Sequence, residues 1–224
     1  MSATAAQPGA LVSHATAIQN RRFLKRILDF VIAVPLGLAS APFVGFWALW
    51  IKIVSPGPAL FLQEREGKAG KRIIVYKLRT MHQDAEQLLL KYLEANHAEN
   101  ANWLRHYKLK KDPRVIPGIG WFLRRYSLDE LPQLWNVLRG DMSLVGPRPF
   151  PEYHLNSFPA AFRTLRSSVM PGVTGLWQVS TRSDGDLEVQ EAEDTYYIRN
   201  WSLWLDIYIL LRTVQTVIMP NAAY

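Results

Sequence analysis

A chain of 224 residues with 49% hydrophobic content can bury a core, which excludes overall disorder, and its lack of cysteine excludes disulfides, thiolate nucleophiles and cysteine-built zinc or iron–sulfur sites. Against 19 Asp+Glu stand 26 Lys+Arg, a formal net charge of +7 with a pI near 9.7, which points to phosphate-bearing partners: nucleic acid, an anionic membrane surface or a nucleotide.

In chain order, residues 1–20 read as a polar, disordered tail. From Phe30 to Ile51 there are 22 positions without a charge, roughly 33 Å as a helix and enough to cross a bilayer core. A cleavable signal peptide fits poorly, since the stretch before the run is uncharged and the run is too long. Basic residues flank it on both sides, Arg21, Arg22, Lys25 and Arg26 before and Lys52, Arg65, Lys68, Lys71 and Arg72 after, so positive charge favours no crossing direction. The pattern predicts that residues 21–54 enter and return on one side as a re-entrant helical hairpin broken at Pro42, with Pro35-Leu36-Gly37 as a second weak point. A plain spanning helix is the alternative, because transmembrane helices accept proline.

The remainder, residues 55–224, reads as a cytoplasmic catalytic domain with interfacial helices. After the turn cluster Ser55-Pro56-Gly57-Pro58, the apolar stretches Leu60–Leu62 and Ile73–Tyr76 predict a β-hairpin linked by residues 64–72. Residues 84–108 have helical spacing, with Trp103 and Tyr107 suited to a membrane boundary. Residues 201–219 read as a helix lying on the membrane or packed into the core. The fold class expected is mainly α with a small β-hairpin, in a monotopic membrane protein.

The chemistry concentrates between Tyr126 and Gly140. Leu131, Leu134, Trp135 and Leu138 fall at helical spacing and Gly140 is a stop signal, predicting an amphipathic helix that begins near Asp129. Ser127-x-x-Glu130 also matches a capping box, which by itself would explain both carboxylates. Against a purely structural role, Pro132 fits better with Asp129 as the cap, and the pair lies among cations suited to bind substrate phosphate: Arg124 and Arg125, Lys77 and Arg79, and Arg148 held between two prolines. A carboxylate kept ionised by arginines can attack phosphorus while its neighbour holds Mg²⁺ against substrate phosphates. No Walker loop or dinucleotide fingerprint is present, and the five histidines lack metal spacing.

Together Lys25-Arg26-Ile27-Leu28-Asp29, Ser55-Pro56-Gly57-Pro58, Tyr76-Lys77-Leu78-Arg79-Thr80-Met81, Asp112-Pro113-Arg114-Val115, the 127–138 segment, Gly140 to Pro149 and Pro171 to Gln178 resemble the bacterial sugar transferase family of monotopic phosphoglycosyl transferases, over roughly residues 21–224. That resemblance implies a re-entrant helix at the cytoplasmic face of the bacterial inner membrane and transfer of a hexose 1-phosphate from a UDP-hexose to undecaprenyl phosphate, releasing UMP. It implies Asp129 as nucleophile, Glu130 as its assistant and Mg²⁺ ligand, and Arg148, Arg124 and Arg182 as phosphate-contacting cations. Met170 stands where many members carry a basic residue, and Ser180-Thr181 precedes Arg182 where glycine is commoner. The size and the 94–102 region look most like the short enzymes that start exopolysaccharide repeat units with galactose or glucose. Nucleic acid is not an expected partner, because the aromatic residues sit in apolar stretches and do not interleave a basic stripe. A non-catalytic scaffold of a polysaccharide assembly complex is the competing function, and the intact Asp129-Glu130 pair weighs against it.

Overall fold

The computed structural model describes residues 8–97, 99, 100, 103, 109, 111–180 and 187–219, with side chains from Phe23 onward. Its first element, α1 (Pro8–Val54), is a single helix that passes through Pro35 and Pro42. Helix therefore begins inside the tail expected to be disordered. Extending an existing helix through an alanine-containing segment needs no new nucleus. Nor does the helix give way to a loop at Pro42, since one proline removes only one backbone hydrogen bond. The stretch from Phe23 to Val54 is long and apolar enough to cross a membrane.

This helix touches the rest of the protein at two separated places. Ahead of Pro35, Lys25, Arg26, Asp29 and Ala33 engage one face of the globular part. Beyond Pro42, Val44, Trp47, Ala48 and Ile51 pack at helical spacing on a second cluster with Leu78, Ile116, Ile119 and Leu123. Between the two contacts Val34, Leu36 and Leu38 are exposed.

Strands β1 (Leu60–Glu66) and β2 (Arg72–Leu78) form the expected antiparallel hairpin, in register from Leu60 opposite Leu78 to Glu66 opposite Arg72, with a turn at Lys68–Gly70. The strands run further into the polar link than the apolar residues suggested, because ladder hydrogen bonds belong to the backbone; Arg72 and Glu64 pair across the ladder at 2.5 Å. On β2, Ile73 and Val75 face inward, and the two-residue period carries Lys77 to the same side.

Then come α2 (Ala85–Ala95), α3 (Ile119–Arg125), a 3₁₀ turn at Leu128–Glu130, and α4 (Gln133–Arg139). Of the helical stretch expected over 84–108, most residues beyond Asn100 lie outside the described set. Strand β3 (Ser143–Val145) pairs in parallel with β4 (Gly172–Thr174), a sheet that its three-residue strands did not announce. Helices α5 (Glu152–Leu155), α6 (Ala160–Ser167), α7 (Leu176–Ser180), α8 (Leu187–Arg199) and α9 (Leu203–Ile218) complete the described elements. The main core joins Ala33 of α1, β2, α4, β3, Tyr197 and Ile209. Helix α9 buries Asp206 and Ile209 while Trp204, Leu211 and Ile218 stay exposed, so one face is packed and the other is open.

Candidate active site

Asp129 and Glu130 do not begin a long helix. They lie in the 3₁₀ turn Leu128–Glu130, and α4 starts only at Gln133, with Pro132 at its cap position. Ser127 makes no side-chain capping bond; its backbone is left-handed, at φ 54°. The capping-box and Asp129-cap readings are therefore both corrected. A non-glycine residue held left-handed is a local strain, and here it lies two residues before Asp129. The turn is anchored on both sides: Leu128 packs on the Ile51–Leu123 cluster, and Leu131 on the main core. Helix α4 buries Gln133, Leu134, Asn136 and Val137 and leaves Trp135 57% exposed, so the buried face is rotated from the one its apolar residues suggested. Asn136 decides that rotation. It accepts from Tyr76 N at 3.1 Å and donates to Ile74 O at 2.6 Å, tying the helix to β2. Gly140 ends the helix at φ 85°, as expected.

Glu130 gathers the cations. Its Oε1 accepts from Lys77 Nζ at 2.6 Å and from Arg148 Nη2 at 2.6 Å, while Oε2 has a longer contact, 3.4 Å, from Arg148 Nη1. Arg148 is held on a stiff support. Gly146 N donates to Thr174 O and Gly172 N to Pro147 O, both at 2.9 Å. A Cβ on Gly146 would meet Met170 O at 2.5 Å, and one on Gly172 would meet Gly146 N at 2.1 Å, so this crossing needs glycine on both sides. Arg166 also donates to the carbonyl of Arg148.

Asp129 is 7% exposed and, among the described residues, its carboxylate accepts no hydrogen bond. Burial and then the neighbouring Glu130 charge push its pKa up to about 6, against the pull of Lys77, Arg124 and Arg148. For Glu130 burial acts upward too, but Arg148 and Lys77 outweigh it and hold the carboxyl well below its usual range. One environment thus keeps Glu130 ionised and paired while Asp129 stays ionisable and unbonded.

Lys77, Glu130, Arg148 and Asp129 are brought together, and Arg124 acts on Asp129 by its charge while its buried Nε lacks a hydrogen-bond partner. Arg79 is not part of this group. It is 5% exposed and donates to Pro56 O at 2.7 Å and Ser55 O at 2.5 Å, so it holds the 55–58 turn and is removed from the phosphate-binding set. The two-residue period gives Lys77 and Arg79 the same side, but Arg79, just past the end of β2 and paired through its N–H with Ala59 O at 2.8 Å, lies beside the 55–58 turn and its guanidinium is taken up there. Arg182 lies outside the described residues. A cation not singled out for the site is Arg65 on β1, whose charge is felt by, and feels, Arg148 and Glu130. Its signal was its place in the hairpin opposite Ile73, visible only once the register was set.

Among the described residues no three His, Asp or Glu side chains cluster as a metal site. Magnesium nevertheless commonly uses one or two carboxylates together with substrate phosphates and water. The donor chemistry fits that habit through Glu130 Oε2, the oxygen less engaged by cations.

A family model described as bacterial sugar transferase matches residues 20–220. The chain is similar to the undecaprenyl-phosphate galactose phosphotransferase of Salmonella typhimurium (40% identical over 207 residues, covering 92% of this chain and 43% of that protein). It is also similar to the UDP-galactose-lipid carrier transferase of Erwinia amylovora, at 41% over 215 residues, 95% of this chain and 44% of that protein. The exopolysaccharide production protein ExoY of Rhizobium meliloti is 40% identical over 202 residues, 89% of this chain and 88% of that protein. The chain thus spans less than half the length of the first two relatives and most of the third.

Proposed function

Since this chain belongs to the bacterial sugar transferase family, we propose that it is a phosphoglycosyl transferase that moves a hexose 1-phosphate from a UDP-sugar, UDP-galactose or UDP-glucose, to undecaprenyl phosphate and releases UMP. The reaction would begin an exopolysaccharide or O-antigen repeat unit at the cytoplasmic face of the bacterial inner membrane. The observation that carries this reading is the division of labour between the two carboxylates: Glu130 Oε1 is engaged by both Lys77 and Arg148, whereas buried Asp129 accepts no hydrogen bond among the described residues.

In the first half-reaction Asp129 Oδ attacks the sugar-bearing phosphorus. An O–P bond forms to Asp129, the bond from that phosphorus to the bridging oxygen breaks, and the electron pair leaves with UMP. In the second, an oxygen of undecaprenyl phosphate attacks the same phosphorus and the Asp129 carboxylate leaves. Lys77 and Arg148, already beside the reacting carboxylate, can pass from Glu130 to the diphosphate and offset the charge that develops on it. Arg124 keeps positive potential at Asp129 throughout. Mg²⁺, bound by Glu130 and the substrate phosphates, would offset the charge of the diphosphate. The burial of Asp129 limits water, which would otherwise hydrolyse the acyl phosphate.

Re-entrance of α1 is part of the same proposal, with Pro42 as the point at which the continuous helix bends back toward the face it entered. It is supported by the two contacts of that helix, one on each side of Pro35 and Pro42, with a single globular body. Both flanks must then lie on the side of the membrane where that body lies.

The test is to incubate the purified protein with UDP-sugars, with and without undecaprenyl phosphate. Without acceptor, UMP release should stop at one equivalent of enzyme, and the peptide containing Asp129 should gain a hexose phosphate. Release that requires both substrates from the start, with no adduct, would replace the covalent route by direct attack of the lipid phosphate.

A further inference from the structure

The C-terminal half of α1 and the helix α3 enclose an apolar cavity of about 280 Å³ lined by Phe46, Trp47, Trp50, Gly118, Ile119 and Phe122. Its aromatic walls continue out of the membrane segment as a ladder of ring contacts. Phe46 stacks on Trp50 at 6.2 Å and meets Trp47 at 5.2 Å; Trp47 meets Phe122 at 5.3 Å, and Phe122 meets Tyr126 at 5.3 Å. Tyr126 is three residues before Asp129. The track therefore runs from exposed membrane-segment residues to the edge of the turn that holds the reacting carboxylate.

Arg124, in the last turn of α3, acts on Asp129, and its buried Nε has no hydrogen-bond partner. Trp47, part of the cavity wall, likewise has a buried indole N–H without a partner. A ligand matching all of this is an amphiphile with a phosphate head at Arg124 and an unsaturated apolar chain along the rings. A free phosphate has no use for the apolar wall, and a bulk phospholipid gains nothing by having its head at the catalytic turn.

On the premise of the transferase reading above, we propose that this groove is the acceptor subsite, holding the head-proximal isoprenoid units of the polyprenyl phosphate. Small-molecule pockets run roughly 300–1,000 Å³, so the cavity takes only the first part of a long chain and leaves the remainder in the bilayer. The subsite explains how a soluble donor and a lipid acceptor reach one carboxylate. The donor leaves its phosphoryl group on Asp129, and the acceptor, arriving along α3, attacks that phosphorus from the face that UMP has vacated.

The test uses the full chain in nanodiscs of phosphatidylethanolamine and phosphatidylglycerol, with a polyprenyl phosphate carrying a photoreactive group on an isoprene near the head. Labelling is expected on peptides containing Trp47 and Phe122, competed by undecaprenyl phosphate and not by added phosphatidylglycerol. Phe122→Ala, and independently the more exposed Trp50→Ala, should raise KM for undecaprenyl phosphate about tenfold, the loss of a good apolar contact. Both variants should leave the acceptor-independent release of one equivalent of UMP unchanged. Labelling elsewhere, competition by phosphatidylglycerol, or an unaltered acceptor KM in folded variants overturns the subsite. Groove labelling competed by undecaprenyl phosphate in a protein that releases no UMP from any UDP-sugar would instead overturn the transferase reading and leave the groove standing.

Discussion

Two groups of buried charges sit a short way apart in this protein and are built to opposite ends. At the base of α1, Asp206 is completely buried and accepts from Lys25 Nζ at 2.6 Å, Tyr197 OH at 2.8 Å and Trp201 Nε1 at 3.1 Å. Lys25 also donates to Val145 O, and the nearby Asp29 accepts from Ser143 Oγ and Leu144 N, each at 2.9 Å. At the Leu128–Glu130 turn, Glu130 Oε1 accepts from two cations but Asp129 has no hydrogen bond among the described residues. The first group has both Asp206 oxygens and Asp29 Oδ1 hydrogen-bonded and clamps α1 to β3, the strand that leads into Arg148. The second leaves one carboxylate under-satisfied, the condition of a group kept for reaction. Burial alone does not distinguish the carboxylates of the two groups. The bonds each carboxylate accepts do.

The comparison breaks first if Asp129 can be neutralised without loss. Asp129→Asn should lower single-turnover UMP release by about 10⁴-fold or more, since an amide does not replace the carboxylate nucleophile. Quenched-flow measurement of UMP would register it, and near-normal release would make the turn a purely electrostatic feature.

At the clamp, Lys25→Met removes the cation from buried Asp206 and should destabilise the protein by about 3–5 kcal/mol, seen as a lower thermal midpoint in detergent. Replacing both partners with apolar residues, Lys25→Met with Asp206→Leu, should recover much of that loss. A double variant as unstable as the single one would mean that the hydrogen bonds to Tyr197 and Trp201 carry the clamp instead.

The third expectation sharpens the contrast through pH. With the Asp129 carboxyl pushed up to about 6, the rate of UMP release should fall about tenfold for each pH unit below that value, as the nucleophile takes up its proton. A rate flat down to pH 4 would place the titration elsewhere.

The smallest effect is on stability. The folded-state pKa of Asp129 lies above its ordinary value of 3.8, so the folded protein holds that proton more tightly than the unfolded chain. The stability this contributes is present below pH 3.8 and is lost as pH rises through about 6. Asp129→Asn should therefore stabilise the protein at pH 7–8 and have no stabilising effect near pH 3.5. Chemical denaturation at the two pH values would show this, and a variant destabilised at pH 8 would contradict it.

Much of the molecule was legible in the order of residues, because the relevant physics is local. The uncharged run from Phe30 to Ile51 marks a helix long and apolar enough to cross a membrane, and alternation around a polar turn declares the hairpin. The Asp129-Glu130 pair stands out by its setting among cations, and Gly140 ends its helix because glycine reaches a left-handed backbone without strain. Only the tertiary structure decided which neighbours meet. Lys77 and Arg79 are two residues apart and looked equivalent, yet the end of β2 sends one to Glu130 and the other to the carbonyls of Ser55 and Pro56. Trp135 read as the inward face of its helix until Asn136 paired with β2 and turned it out. Arg65 joined the site through strand register, and Arg148 took its place from the glycine crossing of Gly146 and Gly172, a contact between segments distant in the chain. Side-chain period and turn chemistry act over a few residues and can be read along the chain. Pairing between distant segments is decided by what each leaves buried and unsatisfied once the chain has folded.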